Sequence, residues 1–275
     1  MLHPMKAFRY DKYHKDLPEQ HFVQRKLNGV RMLHQNGFCL STGEKYWQPK
    51  MLSHIKEALC HIPTNIILDG ELYVHGWKLQ KINGAASINS KEPSALTFQL
   101  QYHVFDLVVT DQPELPFSSR LSLLQSTISP ELGPIQLVET ILVSSKLQGE
   151  SLFKQFKEEG YEGSMCREPD KPYGLPWLCG NQENRWKYIL KRKHWMDGEF
   201  KIVEFEKTTG EHGEVGFRLH CITEEGRFFA VSSGLSDGDV FEYEKNPPIG
   251  REVKVRYLCL SEEGIPLNAT IECIL

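Results

Sequence analysis

Residues 23–31 read VQRKLNGVR, which places Lys26 two positions before an Asn-Gly pair and ends the stretch on Arg31. A positive side chain beside a tight turn has three common roles: a solvated loop residue, a cation that holds phosphate, or a covalent nucleophile. The stretch fits all three roles, so the choice depends on what the rest of the chain places around it.

The composition is that of an ordinary folded protein, because 40% of the 275 residues are hydrophobic and 25% are charged. This length suits one large domain or two smaller ones. The sequence contains no run of about 18 apolar residues and no signal-peptide core at the N-terminus. These features predict a cytoplasmic protein that does not cross a membrane.

The seven cysteines are dispersed, and none belongs to a C-x-x-C pair. An odd, scattered set is typical of reduced core thiols and argues against a disulfide framework or a zinc site. The eleven histidines likewise show no metal-ligand spacing. The sequence therefore gives no indication of a transition-metal centre.

Charge divides the chain near residue 195. Residues 196–275 contain 8 Lys+Arg and 16 Asp+Glu, whereas the whole chain contains 32 and 36, which leaves 24 and 20 for residues 1–195. The net charges are then −8 and +4. From Asp197 onward, short apolar runs alternate with Gly-rich turns, a pattern typical of a small barrel or sandwich. Both observations favour two domains.

The N-terminal part mixes helical and strand patterns. Asn36-Gly37 separates two short runs and predicts a hairpin. Helical spacing of apolar residues predicts helices within 49–63, near 119–128 and over 150–159, the last ending at Gly160. A loop rich in Pro, Gly and Asn is expected over 169–184. Runs rich in β-branched and aromatic residues predict strands at 65–76, 101–109, 161–168 and 185–193.

An ordered series of motifs gives Lys26 its context: KLNGVR (26–31), LDGELY (68–73), YHVFDLV (102–108), EGSMCR (162–167) and ILKRK (189–193). In this order and at these separations, the series resembles the motifs of the covalent nucleotidyltransferases. That superfamily comprises ATP-dependent DNA ligases, RNA ligases and capping enzymes. The resemblance covers most of residues 20–200, and the C-terminal part resembles the OB domain of compact viral and bacterial DNA ligases.

The resemblance implies an α+β fold in two domains. Residues 1–195 would form a nucleotidyltransferase (ATP-grasp-like) domain of antiparallel sheets with flanking helices, and residues 196–275 a small all-β OB-fold barrel. The implied function is that of a minimal ATP-dependent DNA ligase that seals nicked duplex DNA as a monomer. It would act in a host cytoplasm, at a viral replication site or on a bacterial nucleoid. Two alternatives stay open: an RNA ligase or capping guanylyltransferase, and an OB-type nucleic-acid-binding protein with a decayed nucleotide pocket.

Lys26 matches the lysine that receives AMP in this family. An amine attacks phosphorus only when it is unprotonated, a state favoured by burial or by nearby positive charge. The resemblance assigns that charge to Arg31, Lys191 and Lys193, which would also stabilise phosphate oxygens during transfer. Lys191 and Lys193 lie two residues apart, so in a strand both point to the same side.

The resemblance also implies the contacts of the cofactors, ATP and Mg²⁺. Gln24 stands where the family touches the adenine edge, and an amide can donate and accept hydrogen bonds at once. Phe105 would stack on the purine, although a strand Phe is more often a core residue. Glu71 would face the ribose. Glu162, together with Glu71, would hold Mg²⁺, which takes few protein ligands and keeps several waters.

Arg185 lies six residues before Lys191, a spacing typical of small ligases, and is assigned with Arg31 to the DNA phosphate. Other positions depart from the family pattern. Asn28 replaces the usual Asp of the first motif, which predicts weaker metal affinity because an amide adds no negative charge. The hairpin that usually carries an Arg offers Thr42 and Lys45, and residues 264–275 lack the expected Arg. The departures are compatible with a weak or specialised ligase.

Overall fold

The structure, a computed structural model, describes residues 3–128, 133–174, 185–210, 213–261 and 263–275. It divides into two compact units, one ending at Lys193 and one beginning at His194. Most of the predicted loop 169–184, together with Cys179, lies outside the described residues. Within the described part of the chain, no helix is both long enough and apolar enough to cross a bilayer.

The first unit combines strands and short helices. Its strands are β1 (Lys6–Arg9), β2 (His21–Lys26), β3 (Val30–Gln35), β4 (Phe38–Ser41), β5 (Ile66–Tyr73), β6 (Gln101–Val109), β7 (Ile135–Leu137), β8 (Thr140–Val143), β9 (Gly163–Arg167) and β10 (Arg185–Lys193). Its helices are α1 (Tyr10–Tyr13), α2 (Ser53–Ala58), α3 (Leu79–Ala85), α4 (Phe117–Thr127) and α5 (Lys146–Glu158).

These strands form two five-stranded sheets, in the orders β1-β10-β9-β2-β8 and β4-β3-β5-β6-β7. The expectation of antiparallel sheets needs one correction, because β1 pairs with β10 and β6 with β7 in parallel. Strand β2 belongs to the first sheet and β3 to the second, so the loop of residues 27–29 carries the chain from one sheet to the other. That crossing brings residues of both sheets to the first motif.

The largest core of this unit lies on the second sheet and under α2, α3 and α4. The apolar residues at helical spacing in 49–63 are buried as predicted. The regular helix is shorter than the pattern suggested, because α2 covers only Ser53–Ala58 and turns continue on both sides. Helix α5 instead begins earlier than expected: the Ser145 side chain accepts a hydrogen bond from the Gln148 N–H and caps it.

Most predicted strands and the Asn36-Gly37 hairpin are confirmed. Asn36 and Gly37 have φ of 51° and 76°, the left-handed pair that a tight two-residue hairpin requires. The sequence did not reveal α3, whose seven residues contain only a weak periodic pattern.

The second unit has seven strands and one helix among its described residues. The strands are β11 (Met196–Thr209), β12 (Val215–Ile222), β13 (Phe228–Val231), β14 (Glu252–Tyr257), β15 (Cys259–Leu260), β16 (Pro266–Leu267) and β17 (Thr270–Ile274). Five of them form an antiparallel sheet in the order β13-β12-β11-β14-β17, and β15 pairs separately with β16. The helix, α6 (Asp237–Lys245), packs against β11 and β12. Ser236 and Asp239 cap α6 reciprocally, a capping box that the sequence predictions did not include.

Candidate active site

One pocket of the first unit gathers most of the predicted site residues. Its volume is about 290 Å³, close to the lower end of the usual range for small-molecule sites. Eight of its sixteen lining residues are Lys or Arg, and Glu71 supplies the only acidic side chain of that lining. Such an excess of positive charge suits a polyanionic ligand. The lining residues are Met5, Lys6, Ala7, Gln24, Arg25, Lys26, Leu27, Arg31, Glu71, Phe105, Met165, Arg167, Arg185, Ile189, Lys191 and Lys193.

Strand register brings Lys26 near a second lysine. Strand β9 lies between β2 and β10, and its Gly163 is the register partner of both Lys26 and Lys193. A Cβ atom at Gly163 would lie only 2.0 Å from the carbonyl oxygen of Arg192. Glycine is therefore required here, because the neighbouring backbone approaches too closely for any side chain.

Glu162 holds both ammonium groups. Its carboxylate forms an ion pair with Lys26 Nζ and accepts a hydrogen bond from Lys193 Nζ at 2.8 Å. Burial acts to raise the pKa of Glu162, but the two lysines outweigh it and the pKa lies below its usual value. The Glu162 carboxylate is therefore ionised at neutral pH, and the ion pair fixes the Lys26 side chain.

The loop that follows Lys26 is anchored by Glu71. The Gly29 N–H donates to Glu71 Oε1 at 2.6 Å. A Cβ atom at Gly29 would lie 2.3 Å from the Leu72 carbonyl oxygen, so this position also requires glycine. Removal from water raises the pKa of Glu71, against the opposing effect of Lys26. Asn28 lies in this same loop, between the two sheets.

Arg31 is held by a buried acid. Its guanidinium forms two parallel hydrogen bonds with Asp69, at 2.9 and 2.6 Å, and a third with the Met5 carbonyl oxygen at 2.7 Å. The hydroxyl of Tyr173 also donates to Asp69, at 2.7 Å. Bidentate pairing of this kind fixes the orientation of a guanidinium. Arg31 therefore lines the pocket as a rigid group whose charge Asp69 balances.

The opposite part of the lining is formed by Gln24, Phe105 and Arg167. Phe105 is half-buried: it packs against the core of the second sheet and also lines the pocket. The guanidinium carbons of Arg31 and Arg167 each lie 5.5 Å from the centre of its ring. The Gln24 side chain donates to the Phe105 carbonyl oxygen at 3.1 Å, so these two residues are positioned together.

Strand β10 adds further positive charge. Burial lowers the pKa of Lys191, and the nearby charges of Lys193, Arg185 and Lys26 lower it further. Arg185 donates to the Ala7 carbonyl oxygen at 3.4 Å, which ties the start of β10 to β1. Cations crowded in this way repel one another, so binding an anion among them would relieve that repulsion.

Two carboxylates, Glu71 and Glu162, flank the cationic pocket. No group of three or more His, Cys, Asp or Glu side chains in the described ranges is arranged to hold a metal ion. Two oxygen ligands beside a pocket rich in Lys and Arg nevertheless fit Mg²⁺, which completes its shell with water and with the phosphates of a ligand.

A family model described as the ATP dependent DNA ligase domain matches residues 4–189. The chain belongs to the ATP-dependent DNA ligase family. The matched region contains every residue that lines the pocket except Lys191 and Lys193.

Two similar proteins are DNA ligases as well. The DNA ligase of African swine fever virus (strain Badajoz 1971 Vero-adapted) is 31% identical over 94% of this chain and 66% of its own length. The DNA ligase of Haemophilus influenzae (strain ATCC 51907 / DSM 11121 / KW20 / Rd) is 25% identical over 90% of this chain and 84% of its own. The chain thus spans about two thirds of the viral ligase.

Solved ligases share the fold. A Lig E DNA ligase superimposes with a TM-score of 0.79 at 19% identity, and the match covers 100% of both chains. The Chlorella virus DNA ligase-adenylate gives a TM-score of 0.56 at 20% identity, covering 100% of this chain and 98% of that one. The nucleotidyltransferase fold implied by the motifs is therefore that of this ligase family.

The predicted site residues lie close together, in or beside one pocket. Eight of the nine line it, namely Gln24, Lys26, Arg31, Glu71, Phe105, Arg185, Lys191 and Lys193. The ninth, Glu162, contacts Lys26 and Lys193. Thr42 and Lys45 are exposed and do not line the pocket.

Sequence reasoning missed the buried ionic groups behind the pocket. These are Asp69, Asp106, Arg120 and Arg167, together with the neutral Tyr173 hydroxyl that donates to Asp69. A signal was present: Asp106 interrupts the apolar run of β6, and Asp69 that of β5. A charged residue on a buried strand requires a partner, which the sequence alone did not identify. Strand β1, which contributes Lys6 and Ala7 to the lining, was missed as well.

Proposed function

We propose that the chain is an ATP-dependent DNA ligase that seals nicks in duplex DNA through a lysyl-AMP intermediate. The observation that carries the proposal is the position of Lys26, the first-motif lysine, in a pocket lined by seven other Lys and Arg side chains. Nucleotidyl transfer needs such an environment, because preorganised cations stabilise the negative charge that develops on the phosphoryl oxygens.

Three transfers make up the proposed reaction. Lys26 Nζ attacks the α-phosphorus of ATP; the P–N bond forms as the bond to pyrophosphate breaks. AMP then passes to the 5′-phosphate of a nick, which releases Lys26. Finally, the 3′-hydroxyl attacks that 5′-phosphate and displaces AMP. Before the first step, Lys26 has to lose its proton and leave its ion pair with Glu162.

The other pocket residues support these transfers. Lys191 and Lys193 would bind the phosphate oxygens, and Arg31, fixed by Asp69, would contact the nucleotide or the nick phosphate. Phe105 would stack on the purine and Glu71 would bind the ribose. Arg185 would contact the 5′-phosphate of the DNA.

The carboxylates of Glu162 and Glu71 would hold Mg²⁺, which neutralises phosphate charge when it is bound. A metal ion at Glu162 would compete with the two lysines for the same oxygens. That competition offers a way to free Lys26 for attack. The cost of displacing two ammonium groups also predicts modest metal affinity.

Asn28 makes this metal affinity testable. A carboxylate at this loop position would add negative charge beside the proposed ion, so we expect Asn28→Asp to lower the Mg²⁺ concentration that gives half-maximal adduct formation by about 10-fold. The measurement is adduct yield from labelled ATP over a Mg²⁺ titration. Asn36→Asp, in the hairpin loop, is the control and should leave the titration unchanged. An unchanged or higher Mg²⁺ requirement in Asn28→Asp would contradict the assigned role.

We infer further that the second unit is an OB barrel. A five-stranded barrel of this type needs its outermost strands to meet. Just past β13, the Ser233 carbonyl oxygen accepts a hydrogen bond from the N–H of Ile271 in β17, at 2.9 Å. This contact supports closure between the two edges of the sheet. The domain boundary proposed near residue 195 lies two residues from the division between the compact units.

A nick-sealing assay tests the proposal against its alternatives. Purified protein, ATP and Mg²⁺ are incubated with three substrates in parallel. These are a nicked DNA duplex, a nicked duplex in which the strand that carries the 5′-phosphate is RNA, and single-stranded RNA. The expected result is a labelled protein–AMP adduct followed by sealing of the DNA nick. Adduct formation from GTP alone would indicate a capping-type enzyme. Binding of DNA with no adduct from either nucleotide would indicate a decayed pocket.

A further inference from the structure

The surroundings of Gln24 fix the direction of its amide. Its Nε2 donates to the Phe105 carbonyl oxygen at 3.1 Å and to Thr140 Oγ1 at 2.8 Å. The Thr140 hydroxyl itself donates to the Val138 carbonyl oxygen at 3.1 Å, so it can only accept from Gln24. On the other side, Arg167 Nε donates to Gln24 Oε1 at 2.8 Å. Two acceptors and one donor therefore specify the same orientation.

The hydrogen-bonding capacity of Gln24 is nearly used up. A side-chain amide has two N–H hydrogens and two oxygen lone pairs. Both hydrogens and one lone pair are committed to protein partners. Gln24 is buried and lines the pocket, so one acceptor lone pair is all that it can still offer a ligand. The sequence left both roles open for this amide, whereas this arrangement leaves it no N–H to donate to the base.

The donor that faces Gln24 is itself fixed. Arg167 also donates to Asp106 at 2.5 Å, and Arg120 forms two hydrogen bonds with the same carboxylate, at 2.8 and 3.0 Å. Both arginines and Asp106 are buried, with exposed fractions of 1–3%. Reversal of the Gln24 amide would turn its NH₂ group toward the Arg167 N–H and its oxygen toward the Phe105 carbonyl. Both contacts would be repulsive, so the reversed amide is disfavoured.

We propose that Gln24 offers the purine pocket only a hydrogen-bond acceptor, and that Thr140 is a positioning residue that maintains this polarity by occupying the second Gln24 N–H. The inference rests on the proposed function, since it assumes that a nucleotide base reaches Gln24. An acceptor matches the exocyclic amine of adenine and repels the carbonyl oxygen that guanine or hypoxanthine carries at the same ring position. Selection of the adenine nucleotide thus depends on Thr140, which need not touch the base.

Thr140→Val tests this dependence because it removes an acceptor at almost constant volume. One buried Gln24 N–H then has no protein acceptor, so a base carbonyl that accepts from it would restore a hydrogen bond instead of only repelling the amide oxygen. The readout is the single-turnover rate of protein–nucleotide adduct formation over a range of nucleotide concentrations. The nucleotides are ATP, inosine triphosphate and purine riboside triphosphate, which has no group at that ring position. We expect the wild-type protein to prefer ATP to inosine triphosphate by about 5- to 150-fold, because a mismatched carbonyl leaves buried groups unsatisfied.

In Thr140→Val, this preference should fall several-fold, mainly because a lower concentration of inosine triphosphate gives the half-maximal rate, while the maximal rate with ATP changes little. Purine riboside triphosphate should be the least affected nucleotide, since it offers Gln24 neither a donor nor an acceptor. Thr127→Val is the matched control: its half-buried hydroxyl also donates to a carbonyl oxygen, that of Leu123, but it lies in α4. The control should keep the wild-type preference.

The outcomes separate the inference from the function on which it rests. Equal use of ATP and inosine triphosphate by the wild-type protein would overturn the inference and leave the proposed ligase intact. A preference that survives unchanged in Thr140→Val, as in Thr127→Val, would also overturn it. If no nucleotide labels the wild-type protein, the proposed function itself fails.

Discussion

We expect Lys26→Ala to abolish the labelled protein–AMP adduct, with a signal no higher than that of a reaction without protein. The phosphoramidate needs an amine within reach of the α-phosphorus, and alanine supplies no nucleophile. Lys191 and Lys193 line the same pocket, but the motif resemblance assigns them to the phosphate oxygens rather than to attack. The measurement is transfer of label from α-labelled ATP to the protein in the presence of Mg²⁺.

Two controls show whether the loss of labelling comes from loss of the nucleophile rather than from loss of the folded protein. Lys154→Ala removes an exposed lysine of α5 and should label as well as the wild-type protein. Lys26→Ala should still seal a nick that already carries AMP on its 5′-phosphate, because that step no longer uses the lysine. Labelling of Lys26→Ala at the wild-type level would place the nucleophile elsewhere in the pocket.

The sequence predicted which distant residues would lie together better than it predicted the bounds of the elements around them. Lys26, Glu162 and Lys193 are distant in the chain, yet their motifs were recognised separately and in order. The structure adds the register, in which Gly163 pairs with both lysines. That register depends on which strands are neighbours in the sheet, and such long-range pairing leaves no local pattern in the sequence.

The orientation of the Gln24 amide is a second feature that the sequence could not predict, because it too depends on long-range contacts. Its residue type indicated a hydrogen bond to a base, and both donor and acceptor roles were open. The role is decided by Thr140 and Arg167, which lie 116 and 143 residues away in the chain. The bounds of helix α2 were mispredicted for a different reason. The helix is shorter than its apolar pattern suggested, because buried turns continue the same apolar face without continuing the helix.

Asp106→Asn should cause a large loss of stability. Asp106 is the shared partner of Arg120 and Arg167, and none of the three residues is more than 3% exposed. An amide keeps the shape but removes the charge that balances two buried guanidinium groups. Loss of one member of a buried ionic cluster typically costs about 3–5 kcal/mol of unfolding free energy. For a unit of this size, the Tm should fall by about 6–20 °C.

Thermal unfolding of the full chain measures this effect, and Asp111→Asn is the matched control. Asp111 follows β6 in the chain, is exposed, and accepts one hydrogen bond from Asn65 at 3.2 Å. Exposed substitutions of this kind usually change stability by no more than about 0.5 kcal/mol. A drop in Tm for Asp106→Asn no larger than that of Asp111→Asn would show that the buried cluster contributes little.

The pH dependence of the Tm difference between wild type and Asp106→Asn tests the same cluster independently. The direction of the Asp106 pKa shift determines whether this difference grows or shrinks in acid. Burial acts to raise the pKa of Asp106, but Arg120 and Arg167 outweigh it, so the pKa in the folded protein lies below that in the unfolded chain. The stabilisation from this carboxylate is therefore fully present above about pH 4, the unfolded value. It is lost as the pH falls through the lower, folded value. The difference in Tm between wild type and Asp106→Asn should consequently be constant near neutrality and shrink in acid. A difference that grew as the pH fell would mean that Asp106 is protonated in the native protein and that another group balances the two arginines.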